Sequence, residues 1–299
     1  MLDVVIIGSG PAGITAAIYA KRANLNVAVV EKEYLGTGQI AESSRVDNYP
    51  GIPGIDGYSL GEKFREHAES LGVEFTEAQV LSLGQKDGIW IIGCDEDITL
   101  ESKAVIYATG CKNRPLGVPG EEKYYGRGLS FCAVCDGAFY KGKRVAVIGG
   151  GDTALDDAIY LSDICEKVYL VHRREFFRGS ASTLEKLKQK ENVEIIVNVR
   201  VEEITGDKKI DGIILDNKTK LNISGLFAAV GMIPQTELLK EFGVLDESNY
   251  VKASEDTKTT VNGLFVAGDV RTKQLRQVVT AAADGANAIY SVMEYLRNI

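Results

Sequence analysis

Histidine is scarce in this chain. Its 299 residues include two, His67 and His172, with one Trp and five Cys. Cys94, Cys111 and Cys165 stand apart, and only Cys132 and Cys135 are closely spaced. That excludes a scaffold stapled by many disulfides. Nor is there a second C-x-x-C of the kind that often completes a four-coordinate zinc site, so no metal is expected. Positive charge is short as well. Lys plus Arg is 34 against 42 Asp plus Glu, a net charge of −8, the wrong sign for a nucleic-acid binder. No run approaches the ~18 apolar residues of a membrane span. The opening MLDVVIIGSGPAG lacks a basic n-region and reads as a strand entering a turn, not as a signal peptide. The expectation is a cytoplasmic protein with no nucleic-acid and no membrane partner. In a reducing cytoplasm a C-x-x-C more often serves catalysis or metal binding than structure.

What is present is an ordinary globular mix, 45% apolar and 25% charged, in a length that suits two domains. Leu2 to Ile7 is an apolar run. The turn Gly8-Ser9-Gly10-Pro11-Ala12-Gly13 follows, then an Ala-rich helical stretch, then a second apolar run ending at Glu31. The order returns at Arg144 to Ile148, with the turn Gly149-Gly150-Gly151-Asp152-Thr153-Ala154, a helical stretch to Ser162, and a strand ending at His172. In both units 18 positions separate the last turn residue from the end of the second strand. A repeated strand–turn–helix–strand motif implies two dinucleotide sites. Two further apolar runs end in glycine, at Ala108-Thr109-Gly110 and at Ala267-Gly268-Asp269. The fold class expected is α/β, with two Rossmann-like three-layer domains, the second inserted in the first. The first spans 1–113 and 244–299, the second 114–243, with Pro115 and Pro234 as hinges.

A dinucleotide site needs backbone N–H groups aimed at a pyrophosphate, with side chains absent so that the backbone comes close. Gly8, Gly10 and Gly13 meet that need, and Glu31 stands where ribose hydroxyls require an acceptor. At the same place in the second unit stand His172, Arg173 and Arg174, with Arg178 four residues beyond. An acid there would repel a 2′-phosphate, whereas arginines bind it through charge-assisted hydrogen bonds. FAD therefore fits the first site and NADPH the second. His172 also suits a packing role, and Asp152 a plain helix-start role.

The third feature is Phe131-Cys132-Ala133-Val134-Cys135-Asp136-Gly137. Such a pair cycles between dithiol and disulfide, and a lowered thiol pKa makes one thiolate a nucleophile. Zinc and a purely structural bridge are the competing readings. Asp136 suits an acid that protonates a leaving thiolate, or a residue that caps the following segment.

Taken together, GSGPAG at 8–13, GQI at 38–40, NYPG at 48–51, ATG at 108–110, CAVCDG at 132–137, GGGDTA at 149–154, HRREFFR at 172–178, AGD at 267–269 and RQ at 276–277 give a chain that resembles the low-molecular-weight thioredoxin reductases of bacteria over essentially its whole length. The resemblance implies that Ser9 to Gly13, Glu31, Lys32, Gly38, Gln39, Asn48, Thr109, Gly110, Gly268, Asp269, Arg276 and Gln277 hold FAD. It implies that Gly149 to Ala154 with His172, Arg173, Arg174 and Arg178 hold NADPH. It further implies a homodimer, a hydride passed from NADPH to FAD, and electrons passed on to Cys132–Cys135 and then to thioredoxin. In that pattern Cys135 faces the flavin, Cys132 attacks the partner's disulfide and Asp136 is the acid.

Two positions depart from the pattern. Thr37 stands where the family usually has glycine, and Val134 stands where Thr is commoner. Both keep open a thioredoxin-like or glutaredoxin-like partner in place of thioredoxin. A ferredoxin-linked relative is expected to lose the second glycine motif and its arginines, and both are intact. A nucleotide-binding sensor would not need the C-x-x-C. With the first strand at Leu2, no additional N-terminal thioredoxin-like region is expected.

Overall fold

The β-branched runs and Ala-rich stretches of the chain alternate, and each takes the element its periodicity favours. In the computed structural model, which describes residues 1–33, 38–43 and 45–299, the order is β1 (Leu2–Ile7), α1 (Pro11–Arg22), β2 (Val27–Glu31), α2 (Gly57–Ser70), β3 (Glu74–Glu77), β4 (Val80–Lys86), β5 (Ile89–Cys94), β6 (Thr99–Tyr107) and β7 (Cys111–Asn113). Next come β8 (Leu129–Ser130), α3 (Ala133–Asp136), β9 (Arg144–Gly149), α4 (Asp152–Ser162), β10 (Lys167–His172), α5 (Ala181–Lys188) and β11 (Val193–Val197). The chain closes with β12 (Val201–Thr205), β13 (Gly212–Leu215), β14 (Lys220–Asn222), β15 (Gly225–Ala229), β16 (Met232–Pro234), β17 (Leu264–Val266) and α6 (Val278–Leu296).

Two compact units result, Met1–Lys112 with Ile233–Ile299, and Asn113–Met232. In the first, β3, β2, β1 and β6 lie parallel in that order. The long β6 is shared on its far edge. Its first half pairs antiparallel with β5, and its last three residues pair parallel with β17. Alternate residues of β1 feed opposite faces. Val4 and Ile6 meet α1 and α6 through Ala16, Ala17, Ala288 and Ile289. Val5 and Ile7 join Trp90, Ile92, Leu239, Val251 and Val266. A parallel sheet buried on both faces explains why these strands are apolar throughout. Proline at the first turn of α1 removes no intrahelical hydrogen bond, and Lys21 and Arg22 in the last turn complement the helix dipole.

The second unit repeats the plan on a smaller scale. β11, β10, β9, β15 and β8 form a parallel sheet. One face packs on α4 through Leu155, Ala158 and Leu161. The other packs Leu129, Ala146 and Leu226 against Ile204, Ile213 and Leu221, which lie on or beside the antiparallel β12–β13–β14.

The contact boundary differs from the sequence-drawn one at one end. The segment 233–243, expected in the inserted domain, lies with the first unit. Leu239 within it is fully buried beside Val5 and Ile7. An apolar side chain goes where a sheet face is available to cover it, and no local signal in the sequence says which sheet that is.

Candidate functional site

The first glycine turn closes at the end of β1. Gly8 has φ of +102°, and a Cβ there would lie 2.5 Å from the Ala108 carbonyl. A Cβ at Gly13 would lie 1.9 Å from the carbonyl of Gly8. Both positions are closed to larger residues. Ser9 is buried, and its N–H and hydroxyl donate to Glu31 Oε2 at 2.8 and 3.0 Å. The other oxygen, Oε1, accepts the Lys32 N–H at 2.7 Å. Glu31 is thus fixed at the tip of β2, beside a cleft of about 160 Å³ shared with Arg65, Phe75 and Glu77.

The remaining residues expected at this site come from distant parts of the first unit. Ala108 packs on Gly8, and a Cβ on Gly38 would sit 3.6 Å from Gly10. A Cβ on Gly268 would meet the Ala12 methyl at 2.9 Å. Gln39 is half-buried in the turn that starts at Gly38. Thr109 donates to the Gln235 carbonyl at 2.8 Å, and Gly110 follows with φ of +68°. Asn48 reaches Gln277 at 2.9 Å, and Gln277 caps α6. The Gly36–Thr37 departure lies outside the described residues.

Asp269 has the most perturbed setting of the set. Its Oδ1 is buried with no hydrogen-bond partner among the described residues. Burial pushes its carboxyl up to about 6, against the pull of Lys273 and Arg276. Its main-chain carbonyl takes two donors, the Cys111 thiol at 2.9 Å and Arg276 Nε at 3.2 Å. Burial pushes that thiol up to about 12, so it stays protonated and able to donate. Arg276 in turn lies over the Tyr250 ring at 4.2 Å.

Asp284 anchors the same loop from α6. It is buried and receives Gly268 N–H at 2.9 Å, Arg271 through Nε at 2.8 Å and Nη2 at 2.7 Å, and Lys273 at 2.9 Å. Burial alone would raise its carboxyl, but these donors outweigh it and hold the group below the usual range. Breaking one side of such a buried cluster costs about 3–5 kcal/mol. Sequence reasoning missed Cys111, Tyr250, Arg271, Lys273 and Asp284. The available hint was one acid inside the apolar stretch of α6.

In the second unit, Gly149 packs on the Ala229 carbonyl and the Ala154 methyl, and Gly151 caps α4. The loop after β10 folds back onto this turn. Arg178 and Gly179 donate main-chain N–H groups to the Gly150 carbonyl at 2.7 and 3.2 Å. Asp152 Oδ1 accepts the Ser180 N–H at 2.7 Å, so Asp152 ties the loop down; Thr153 beside it is exposed. Arg173, Arg174 and Arg178 are exposed, and their side chains have no partner among the described residues. His172 departs from its expected place beside them. The ring is buried, stacks on Phe177 at 4.9 Å, and pairs with the Phe176 carbonyl at 3.2 Å. A Cβ on Gly150 would lie 2.2 Å from it. Burial lowers its pKa, and the neighbouring arginines add to that. His172 is therefore a wedge under the turn, packed between Gly150 and Phe177.

Cys132 and Cys135, both half-buried, are joined by a disulfide of S–S length 2.07 Å. Cys132 is the N-cap of α3, and its sulfur accepts the Cys135 N–H at 3.1 Å. A donor at that sulfur favours its thiolate over the thiol. Burial raises the Asp136 carboxyl, and a hydrogen bond from Ser130 at 2.6 Å opposes the rise. Ser130, two residues before the pair, carried no motif to mark it. Val134 is exposed between the cysteines. Among the described residues no cluster of His, Cys, Asp or Glu could hold a metal ion, and no helix is long and apolar enough to cross a membrane.

Residues 2–285 match the family described as pyridine nucleotide-disulphide oxidoreductase. The chain is 40% identical to a thioredoxin reductase of Helicobacter pylori, with all of both chains covered. It is 39% identical to a 34.2 kDa protein in a rubredoxin operon of Clostridium pasteurianum, covering 99% of this chain and 97% of that one. Among solved structures, the thioredoxin reductase of Streptococcus pyogenes superposes with a TM-score of 0.94 at 40% identity, covering 100% of this chain and 99% of that one.

Proposed function

The chain belongs to the pyridine nucleotide-disulphide oxidoreductase family, and from that premise we propose that it is an FAD- and NADPH-dependent thioredoxin-disulfide reductase. The observation that carries this reading is the Cys132–Cys135 bond, with a donor on one sulfur and, in the next residue, a carboxyl that burial raises.

The first turn suits FAD. Glycines at 8 and 13 leave the backbone bare for a pyrophosphate. The orphaned Asp269 oxygen asks for a donor, and a ribityl hydroxyl is one. In this assignment Ser9 to Gly13, Glu31, Lys32, Gly38, Gln39, Asn48, Thr109, Gly110, Gly268, Asp269, Arg276 and Gln277 hold the cofactor. The chemistry that bound FAD would supply is acceptance of a hydride from NADPH and transfer of two electrons to the disulfide. The second turn with Arg173, Arg174 and Arg178 holds NADPH, whose 2′-phosphate supplies the partner those side chains lack. His172 and Asp152 support that turn from below and from the side.

The chemistry of the pair follows. Two electrons break the Cys132–Cys135 bond and leave a dithiol with one thiolate favoured at Cys132. That thiolate attacks the partner's disulfide and forms a mixed disulfide. Asp136 gives a proton to the departing sulfur. Cys135 then attacks Cys132, restores the bond, and releases the partner as a dithiol. Thioredoxin is the proposed partner, and a homodimer in the cytoplasm the proposed setting. The exposed Val134 favours a second reading, in which a thioredoxin-like protein of different surface takes the electrons.

Rapid mixing of the flavin-loaded protein with NADPH or NADH tests the scheme. NADPH is expected to bleach the flavin at least ~10-fold more efficiently. Cys135→Ser is expected to keep that bleaching and lose thioredoxin reduction. Retention of full disulfide transfer in this variant, or a preference for NADH, overturns the reading.

A further inference from the structure

Ser130 sits at the end of β8 with 5% of its surface exposed, and nothing in the scheme above assigns it a task. Its hydroxyl oxygen is the shared point of three contacts. It accepts the Cys132 N–H at 3.1 Å. It lies 2.6 Å from Asp136 Oδ2 and 3.3 Å from the Cys132 carbonyl. A hydroxyl has one proton to give. At these distances it goes to the ionised Asp136, the stronger and nearer acceptor. When Asp136 carries its own proton, that carboxyl becomes the donor to Ser130, and the serine proton is free to turn to the Cys132 carbonyl.

We propose that Ser130 is a positioning residue for the redox pair. It holds the proton-donating carboxyl and the attacking cysteine through one oxygen, and keeps both satisfied in either protonation state of Asp136. The inference rests on the reading of Asp136 as the acid. During exchange, the Cys132 thiolate forms a bond to one sulfur of the partner's disulfide, and the partner's S–S bond breaks. The departing sulfur takes the proton of Asp136, which becomes a carboxylate. The Ser130 proton then swings onto that carboxylate, so its new charge is not left bare in a half-buried site. Ser130 is buried, so its hydroxyl rather than bulk water is placed to take this role.

The groups around Asp136 are few. From the turn that follows α3 comes Tyr140, whose phenol is raised by burial and then by Asp136 itself. α4 packs against α3 and carries Asp152, Asp156 and Asp157, none of which shifts Asp136. Burial raises Asp136, and the Ser130 hydrogen bond is what opposes it.

The test compares Ser130→Ala, Ser130→Thr and Asp136→Asn in the flavin-loaded protein. Two readouts are taken against pH: thioredoxin turnover, and alkylation of the dithiol form by iodoacetamide, which needs no turnover. Ser130→Ala is expected to move the pH midpoint owed to Asp136 upward by about one unit. Flavin content should stay unchanged. Ser130→Thr, which keeps the hydroxyl, is expected to restore the original midpoint. Asp136→Asn should abolish that limb of the profile. If Asp136→Asn removes the limb but Ser130→Ala leaves it in place, Ser130 has no such role. If Asp136→Asn leaves the limb unchanged, the assignment of the acid itself fails, which is a separate result. Should Ser130→Ala not fold, Ser130→Thr carries the test, since a shifted midpoint with full flavin content overturns the proposal.

Discussion

At the sixth position of the first glycine turn stands Gly13, and at the sixth of the second stands Ala154. In the first, the left-handed Gly8 turns its carbonyl to within 1.9 Å of where a Gly13 methyl would be. In the second, Gly149 does not have a positive φ, and the Ala154 methyl packs where Gly149 lacks a side chain. A similar contrast holds at the end of the following strand. Glu31 is tied to Ser9 and Lys32. At the equivalent place His172 turns inward, and the exposed Arg173 and Arg174 follow it. One strand–turn–helix plan thus takes two ligands, because the backbone needs are shared while the charge at the strand end is not.

The hardest way to break the comparison is to exchange the sixth residues. Gly13→Ala drives a methyl into a carbonyl and is expected to cost about 3 kcal/mol or more. Most bound FAD should be lost, read as the flavin-to-protein ratio. Ala154→Gly adds no clash and is expected to cost only about 1 kcal/mol in thermal or urea unfolding. Equal losses of cofactor and stability in the two variants would erase the distinction.

Charge at the strand end is the next point of attack. Arg173→Ala with Arg174→Ala is expected to lower kcat/KM for NADPH by roughly 10- to 100-fold. The value for NADH should change far less. A parallel fall for both nucleotides would assign the arginines to general charge.

A smaller effect separates the two helices. Ala16 of α1 is fully buried, while its counterpart on α4 is Asp157. Burial, and then Asp156, push the Asp157 carboxyl from 3.8 to about 7. The folded state therefore holds the proton more tightly than the unfolded one. The resulting cost is absent below pH ~4, grows as pH rises, and is complete above about 7. Asp157→Asn is expected to stabilise the protein by about 2 kcal/mol at pH 8 and to have little effect at pH 4, measured by urea unfolding. A gain that does not depend on pH would rule out this cause.

The mildest effect concerns His172. Its depressed pKa means that charging opposes folding, so its contribution is present above the unfolded value and is lost as pH falls below it. His172→Asn is expected to flatten the acid limb of stability between pH 7 and 5 and to leave discrimination of NADPH from NADH in place. Loss of that discrimination would return His172 to the ligand.

Much of the architecture was legible beforehand. The repeated strand–turn–helix units, the α/β class and the inserted order all follow from apolar periodicity and glycine spacing. The redox pair was marked by its own spacing. Segment 233–243 was not legible, because Leu239 could be buried on either sheet by local criteria. Ser130 and Asp284 were hidden for a related reason. Each acts through a residue whose distance in sequence says nothing of its role, six positions on for Asp136 and sixteen back for Gly268.

By itself the sequence determined where strands end in bare glycine turns and which turn is followed by arginines suited to a 2′-phosphate. Those depend on backbone sterics and on the sign of charge within a few residues. Only the tertiary structure decided that His172 faces inward, that Asp269 keeps an unpaired buried oxygen, and that one serine hydroxyl joins Asp136 to Cys132. Such facts depend on burial and on the count of donors and acceptors in a closed space, and that count exists only once the chain has folded.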